Sequence, residues 1–232
     1  SSTTAHMPNA PLPKPQSDAI TDPWEAAYLQ FETPQEEVQK FIDRLTRLGA
    51  SAWWRDAEIV ELFCGRGSGL LALAKLGFTH LEGVDLSPRL LAESAGNAKV
   101  IVADCRRLPF LDRSKDILIV QGGLHHLPKL PEDLAQTFSE MRRVLRAGGR
   151  VMFVEPWLTP FLRIVHFVCK QSLARRASKK MDALATMIEY ERVTYEQWLH
   201  HPEMIARLVR EHFFPLHESF AWGKWNFLGT SR

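Results

Sequence analysis

From residue 34 onward, short apolar runs alternate with segments whose apolar positions recur every three to four residues. Ile59–Phe63 and His80–Val84 read as buried strands, and Leu70–Leu76 between them reads as an apolar helix. Thr33-Pro34-Gln35-Glu36 has the form of a capping box with proline at the first helical position. Val38, Phe41, Ile42, Leu45 and Leu48 come next at helical spacing, which predicts a helix over 34–48 packed on a sheet. Trp53 and Trp54 lie just beyond and are expected to pack at the sheet edge. Ser87-Pro88 caps another helix. Pro131–Arg146 carries Leu134, Phe138, Met141 and Leu145 on one face before Ala147-Gly148-Gly149 stops it. Strands alternating with helices require right-handed crossovers and a parallel sheet, so the fold class is α/β and doubly wound. The chain's end breaks that rhythm: Leu216–Trp222 and Trp225–Ser231 read as two strands joined by a tight turn at Gly223-Lys224.

Between the fifth strand, ending near Glu155, and that hairpin lies far more chain than a single crossover needs. The excess, residues 157–212, is expected to form a helical lid over the active-site end. Pro160–Ser172 is apolar on most faces, with Arg163, Lys170, Arg175, Arg176, Lys179 and Lys180 in or after it. Burial between sheet and lid is one reading. A wall of an apolar substrate pocket is another, and a helix lying on an anionic membrane is the third. Met181–Met187, Thr194–Leu199 and Glu203–His212 read as ordinary amphipathic helix, with Tyr190 and Tyr195 as packing or pocket residues.

Composition narrows the class. At 232 residues and 45% hydrophobic the chain can bury one sizeable core, so a single domain over 24–232 is expected. Residues 1–23, rich in Ser, Thr and Pro, read as a tail without fixed structure, and Ala5-His6-Met7 has the look of a tag remnant. Charge is nearly balanced at +2, which gives no global push toward nucleic acid. Cys64, Cys105 and Cys169 include no C-x-x-C pair, so neither a disulfide scaffold nor a zinc site is expected, and a reducing cytoplasm is the default location. No run of about eighteen apolar residues suggests a spanning helix.

The chemistry starts at the loop after the first strand. Gly65, Gly67 and Gly69 would let backbone approach a ligand closely, and Asp85 at the tip of the second strand could reach a ribose diol, which together imply a nucleoside-containing cofactor. The dinucleotide fingerprint would place its third glycine at position 70, which is leucine. Glu61, inside the strand, would repel a pyrophosphate but attract an amino group. S-adenosylmethionine, with an amino group and no phosphate, fits that pattern better.

The run ELFCGRGSG resembles the first motif of class I S-adenosylmethionine-dependent methyltransferases, with Glu61, Gly65 and Gly67 matching and Phe63 replacing the first glycine. VDLSP resembles the second-strand motif, which would place Asp85 on the ribose hydroxyls and Leu86 against the adenine. VADCRRLPF resembles the third, with Asp104 near the adenine amino group and Cys105 beside the ring. DILIVQGGLHHL, including Gln121 and Gly122, resembles the fourth strand and its loop in small-molecule methyltransferases of the ubiquinone/menaquinone type. EMRRVLRAGGRVMFVEP resembles the helix, Gly-Gly turn and fifth strand of the same proteins. The resemblance covers residues 57–156. It implies a mostly parallel, seven-stranded, Rossmann-like sheet ending in an antiparallel hairpin. It also implies methyl transfer from S-adenosylmethionine, leaving S-adenosylhomocysteine, to a small or lipid-like acceptor.

Methyl transfer is an in-line displacement that mainly needs alignment, and a base only where the acceptor must lose a proton. His125 and His126 are the first candidate bases because imidazole titrates near neutrality. Glu155 is the second, its bland alternative being a solvated strand end. Adjacent histidines point in different directions and no carboxylate triad is legible nearby, so no metal is expected. Cys64 could be made reactive by the helix after it, or be a small buried packer like Cys105. Two other functions compete. One is an RNA or protein methyltransferase docking through the basic lid, against which stands Gln121-Gly122-Gly123-Leu124 in place of an Asn/Asp-Pro-Pro-aromatic tetrapeptide. The other is a non-catalytic cofactor-binding module, supported by Phe63 alone. The acceptor, the methylated atom and the oligomeric state stay open at this level.

Overall fold

The structure is a computed structural model and describes residues 23–94, 96, 98–169 and 179–232. The tail 1–22 and Lys170, Ser172, Arg175 and Arg176 of the basic stretch lie outside the described residues. Strands β1 (Ile59–Leu62), β2 (Leu81–Asp85), β3 (Lys99–Val102), β4 (Lys115–Gln121), β5 (Leu145–Pro156), β6 (Phe213–Ala221) and β7 (Lys224–Ser231) form one seven-stranded sheet in the order β3-β2-β1-β4-β5-β7-β6. The first five pair in parallel, and β7 runs antiparallel to both β5 and β6.

Alternation along the strands sorts the core into two layers. Leu118 and Val120 of β4, Val151 and Phe153 of β5 and Phe227 of β7 face one side. Ile117, Ile119, Met152, Val154 and Leu228 face the other. Helices cover both sides, so both faces are apolar. On one side, α2 (Pro34–Arg47) and α3 (Ser68–Lys75) bury Val38, Phe41, Leu45, Leu70 and Leu73. On the other, α5 (Glu132–Val144) contributes Leu134, Phe138 and Met141. Phe153 stacks on Phe138 and Phe227 there, with ring centroids 5.5 and 5.6 Å apart. Burying one such ring is worth about 1.5–3 kcal/mol.

The capping box forms as read: the Thr33 hydroxyl accepts from Glu36 N at 3.2 Å, and Thr33 N donates to the Glu36 carboxylate at 3.0 Å. A short helix, α4 (Pro88–Ala92), starts at the Ser87 cap. Elsewhere the boundaries move. The helix expected over Pro131–Arg146 already ends at Val144. Ala147-Gly148-Gly149 falls inside the span of β5, where the register against β4 slips between Lys115 and Ile117. Pro23, expected in an unstructured tail, opens a helix, α1 (Pro23–Phe31). Trp53 is buried, but Trp54 is 58% exposed, so only the first packs as expected.

Among the described residues, four helices occupy the segment between β5 and β6: α6 (Pro160–Cys169), α7 (Lys179–Tyr190), α8 (Arg192–His200) and α9 (Pro202–His212). Trp198 of α8 is fully buried and donates its indole N–H to Pro156 O at 2.9 Å, tying this layer to the end of β5. The buried reading of α6 does not hold all round. Cys169 is buried and Leu162 packs on the core, while Phe161, Ile164 and Phe167 stand exposed. Among the described residues, no helix is long and apolar enough to cross a membrane.

Candidate active site

The carboxyl ends of β1, β2, β3 and β4 lie side by side because these strands are parallel neighbours. That edge carries every residue expected to meet the cofactor. After β1 the chain turns through Phe63, Cys64 and Gly65 to Gly67, the residue before α3. Phe63 has φ 55°, a left-handed conformation that glycine adopts freely and a side chain rarely does. Its ring is accommodated because Gly123 has no side chain: a Cβ there would fall within the phenyl group. The backbone therefore takes a glycine-like path without the glycine.

Asp85 closes the loop, accepting hydrogen bonds from Gly65 N and Ser87 N, each at 2.8 Å. Leu86 beside it is 62% exposed, and Gly122 after β4 has φ 86°. Asp104, beyond β3, is engaged elsewhere: Arg106 donates to it from Nη2 at 2.6 Å and pairs with Asp133 at 3.0 Å. The Arg106 hydrogen bonds hold Asp104 below the usual carboxylate range. Cys64 is no activated thiol. Burial, then the nearby charges of Glu61 and Asp85, push it up, and burial likewise raises Cys105 to about 11.

Glu61 points toward α3 and is buried. Gly69 makes room for it, since a Cβ at Gly69 would fall inside the Glu61 carboxylate. Oε1 accepts from Gln121 Nε2 at 2.9 Å, and Gln121 in turn accepts from Arg44 Nη1 of α2 at 3.0 Å. Oε2 is buried without a hydrogen-bond partner. Burial raises the Glu61 carboxyl to about 8, more than the Gln121 hydrogen bond can offset.

On the opposite face of the sheet, Glu155 is the reverse of a solvated strand end. It is fully buried and accepts from Gly123 N and Leu124 N at 2.8 Å each. Its second oxygen meets His125 Nδ1 at 2.7 Å. Burial alone would raise its pKa, but His125 and the two backbone donors hold it below the usual range. The histidine pair, read as diverging and without a carboxylate triad nearby, in fact meets two carboxylates, Glu155 and Glu191. Glu191, just before α8, lies 3.5 Å from His125 Nε2 and 3.0 Å from His126 Nδ1. The two rings do not diverge; their centroids are 4.1 Å apart. Desolvation would lower His125, but the hydrogen bonds to Glu155 and Glu191 raise it to about 9, so at neutral pH it already carries a proton and is a poor base. Glu191, despite its burial, is brought down to about 2 by the same two imidazoles.

Other parts of the site left no local signal. Tyr28 of α1 lies against the glycine loop and donates to Glu37 Oε1 at 2.7 Å. Glu37 is a buried hub that also accepts from Arg66 Nε at 2.8 Å and Ser68 Oγ at 2.7 Å. A cavity of about 430 Å³ lies among α6, α7 and α8, with Leu158, Ile188 and Leu199 on its apolar wall and Glu189, Arg192 and Glu196 among its charged lining. Tyr195 accepts or donates a hydrogen bond with His166 at 3.1 Å and packs edge-on against His125, 5.8 Å between ring centroids, so the cavity wall adjoins the histidine cluster. Tyr190 is exposed.

Comparison with known proteins agrees with this layout. A family model described as a methyltransferase domain matches residues 60–153. The chain is 28% identical over 136 residues to a demethylmenaquinone methyltransferase from Chlorobaculum tepidum, a match covering 51% of this chain and 54% of that protein. The chain spans about half the length of the curated relatives it matches. Among solved structures, a protein from Pyrococcus horikoshii OT3 superposes with a TM-score of 0.65 at 18% identity, covering 92% of this chain and 100% of that one. A magnesium protoporphyrin IX methyltransferase from Synechocystis PCC 6803 with bound S-adenosylhomocysteine gives 0.57 at 13% identity, covering 95% and 90%. At such identities these two attest the fold. Motif, sheet order and the match over residues 60–153 point the same way: this part of the chain is similar to methyltransferase domains of the class I, S-adenosylmethionine-dependent type.

Proposed function

We propose that this chain transfers the methyl group of S-adenosylmethionine to a small, apolar or lipid-like acceptor, releasing S-adenosylhomocysteine. The observation that carries the reading is Glu61 Oε2, a buried carboxylate oxygen with no donor, set beside the glycine loop. A buried acceptor without a partner costs free energy, and the cofactor's ammonium group is a donor of the right charge. When bound, the cofactor supplies an electrophilic methyl carbon. In this reading Asp85 takes the ribose hydroxyls while holding Gly65 N, Leu86 offers its exposed side chain to the adenine, and Gly65, Gly67 and Gly122 admit the ligand to the backbone. Asp104 and Cys105 border the ring, Phe63 the methionyl part, and Gln121 orients Glu61.

We assign residues 24–232 to a single domain in which 157–212 covers the acceptor. The cavity beside Tyr195 supports an apolar acceptor, as do the exposed Phe161, Ile164 and Phe167, which also suit contact with a lipid surface. Glu155 acts through His125 as a positioning residue, and His125, His126 and Glu191 face the acceptor. Demethylmenaquinone, the acceptor in the name of the Chlorobaculum relative, is the first compound to assay.

Isothermal titration with S-adenosylmethionine tests the cofactor half. Micromolar binding that weakens at least tenfold in Asp85→Asn is expected, and no heat at millimolar ligand overturns the proposal.

A further inference from the structure

Three potential ligand atoms converge where the sheet meets α8: His125 Nε2, His126 Nδ1 and the Glu191 carboxylate, all within 4.8 Å of one another. In a tetrahedral zinc site with bonds of about 2.0–2.1 Å, neighbouring ligand atoms stand about 3.3 Å apart. Here His125 Nε2 stands 3.5 Å from Glu191 Oε2 and His126 Nδ1 3.0 Å from Glu191 Oε1, one imidazole at each oxygen of the carboxylate. From this geometry we infer that His125, His126 and Glu191 form a divalent transition-metal site at the acceptor end of the cleft.

Two further features distinguish the cluster from a simple network of ion pairs. Glu191 Oε1 is buried and makes no hydrogen bond although His126 Nδ1 is 3.0 Å away. The other nitrogen of His125, Nδ1, is held at 2.7 Å by Glu155, itself anchored by Gly123 N and Leu124 N. A carboxylate behind a histidine is the usual outer-shell partner of a metal-bound imidazole, fixing its tautomer and ring orientation. Two imidazoles and one carboxylate suit zinc, cobalt, iron or nickel in the divalent state rather than calcium or magnesium.

The surroundings leave a coordination position for substrate. The His126 side chain keeps 27% of its surface, and its ring centroid lies 6.4 Å from that of Phe63, at the start of the glycine loop. Tyr195 joins the cluster to the cavity among the lid helices. A cation here would take an oxygen of an enolic or phenolic acceptor and lower the pKa of that group. The acceptor's proton would leave to solvent on binding, and His125 would release its own Nε2 proton to free that nitrogen for the cation. The assignment of the acceptor rests on the methyl-transfer reading; the metal site does not.

The test uses the full chain stripped with a chelator and dialysed, without S-adenosylmethionine. Cobalt(II) is titrated while its visible absorption is monitored, and zinc(II) is then added in competition. We expect one equivalent bound with micromolar or tighter affinity, weakened at least 100-fold in both Glu191→Gln and His126→Asn. The surface variant His217→Gln should bind as the parent does. Thermal melts establish that each variant is folded, and having two variants covers the case in which one is not. Absence of binding at millimolar cobalt, or binding that both folded variants retain, overturns the inference. Because no cofactor is present, such a failure is separate from failure of the methyl-transfer reading.

Discussion

Two glutamates stand in strands of the same sheet, near the same edge, both buried, and titrate in opposite directions. Glu61 in β1 has Gln121 on one oxygen and nothing on the other, and its carboxyl rises to about 8. Glu155 in β5 has two backbone donors and an imidazole, and its carboxyl falls below the usual range. Burial is equal, so the number and charge of donors decide the sign. One acid is left with an oxygen that has no donor, whereas the other has its donors already built in. A fold normally satisfies its buried polar groups, and an exception in a cleft marks where a partner molecule enters.

The largest effect that could break this contrast comes from Glu155→Gln. It removes the charge facing His125 and turns an N–H toward it, so about 3–5 kcal/mol of stability should be lost, read by urea denaturation. A loss below 1 kcal/mol would mean that the pair is not a stabilising unit. Next comes Gly69→Ala, whose new methyl meets the Glu61 carboxylate. About 1–3 kcal/mol should disappear, and Glu61→Asp in the same chain should recover part of it. Loss without recovery would show that the carboxylate is not what crowds the position.

Glu61→Gln should act with the opposite sign to Glu155→Gln. The folded-state carboxyl titrates near 8 against an ordinary value of 4.5, so the fold holds its proton longer than the unfolded chain does. Stability of the ligand-free protein therefore declines as pH rises from about 5 to 8. Glu61→Gln should flatten that decline and gain about 1–2 kcal/mol at pH 8, while weakening S-adenosylmethionine at least tenfold. Parallel pH curves for variant and parent would refute the account of Glu61. The smallest effect is expected from Phe63→Gly. It relieves left-handed strain but loses a ring packed on Gly123, so the net change should stay within about 1 kcal/mol. A larger loss would identify the ring as a principal packing element.

Much of the frame was legible because its determinants are local. The Thr33 cap, the first buried strands and the glycine loop each depend on residues a few positions apart, and form close to where the pattern put them. Boundaries fared worse where tertiary pairing competes with propensity. Leu145 joins β4 instead of extending α5, and Pro23 joins a helix instead of a tail. Trp53 and Trp54, adjacent and alike in type, part company because only one can face the core.

The sequence by itself determined the layering and the kinds of side chain set at the strand ends. It could not determine which buried acid finds a donor. Glu155 meets residues 30–32 positions away, Glu61 meets Gln121 60 positions away, and Glu191 reaches the histidines from the turn between two lid helices. Apolar patterning is a local property summed along the chain, whereas a hydrogen bond depends on direction and on distances within tenths of an ångström. Only the packed structure sets those, and with them the charge of each group in the cleft.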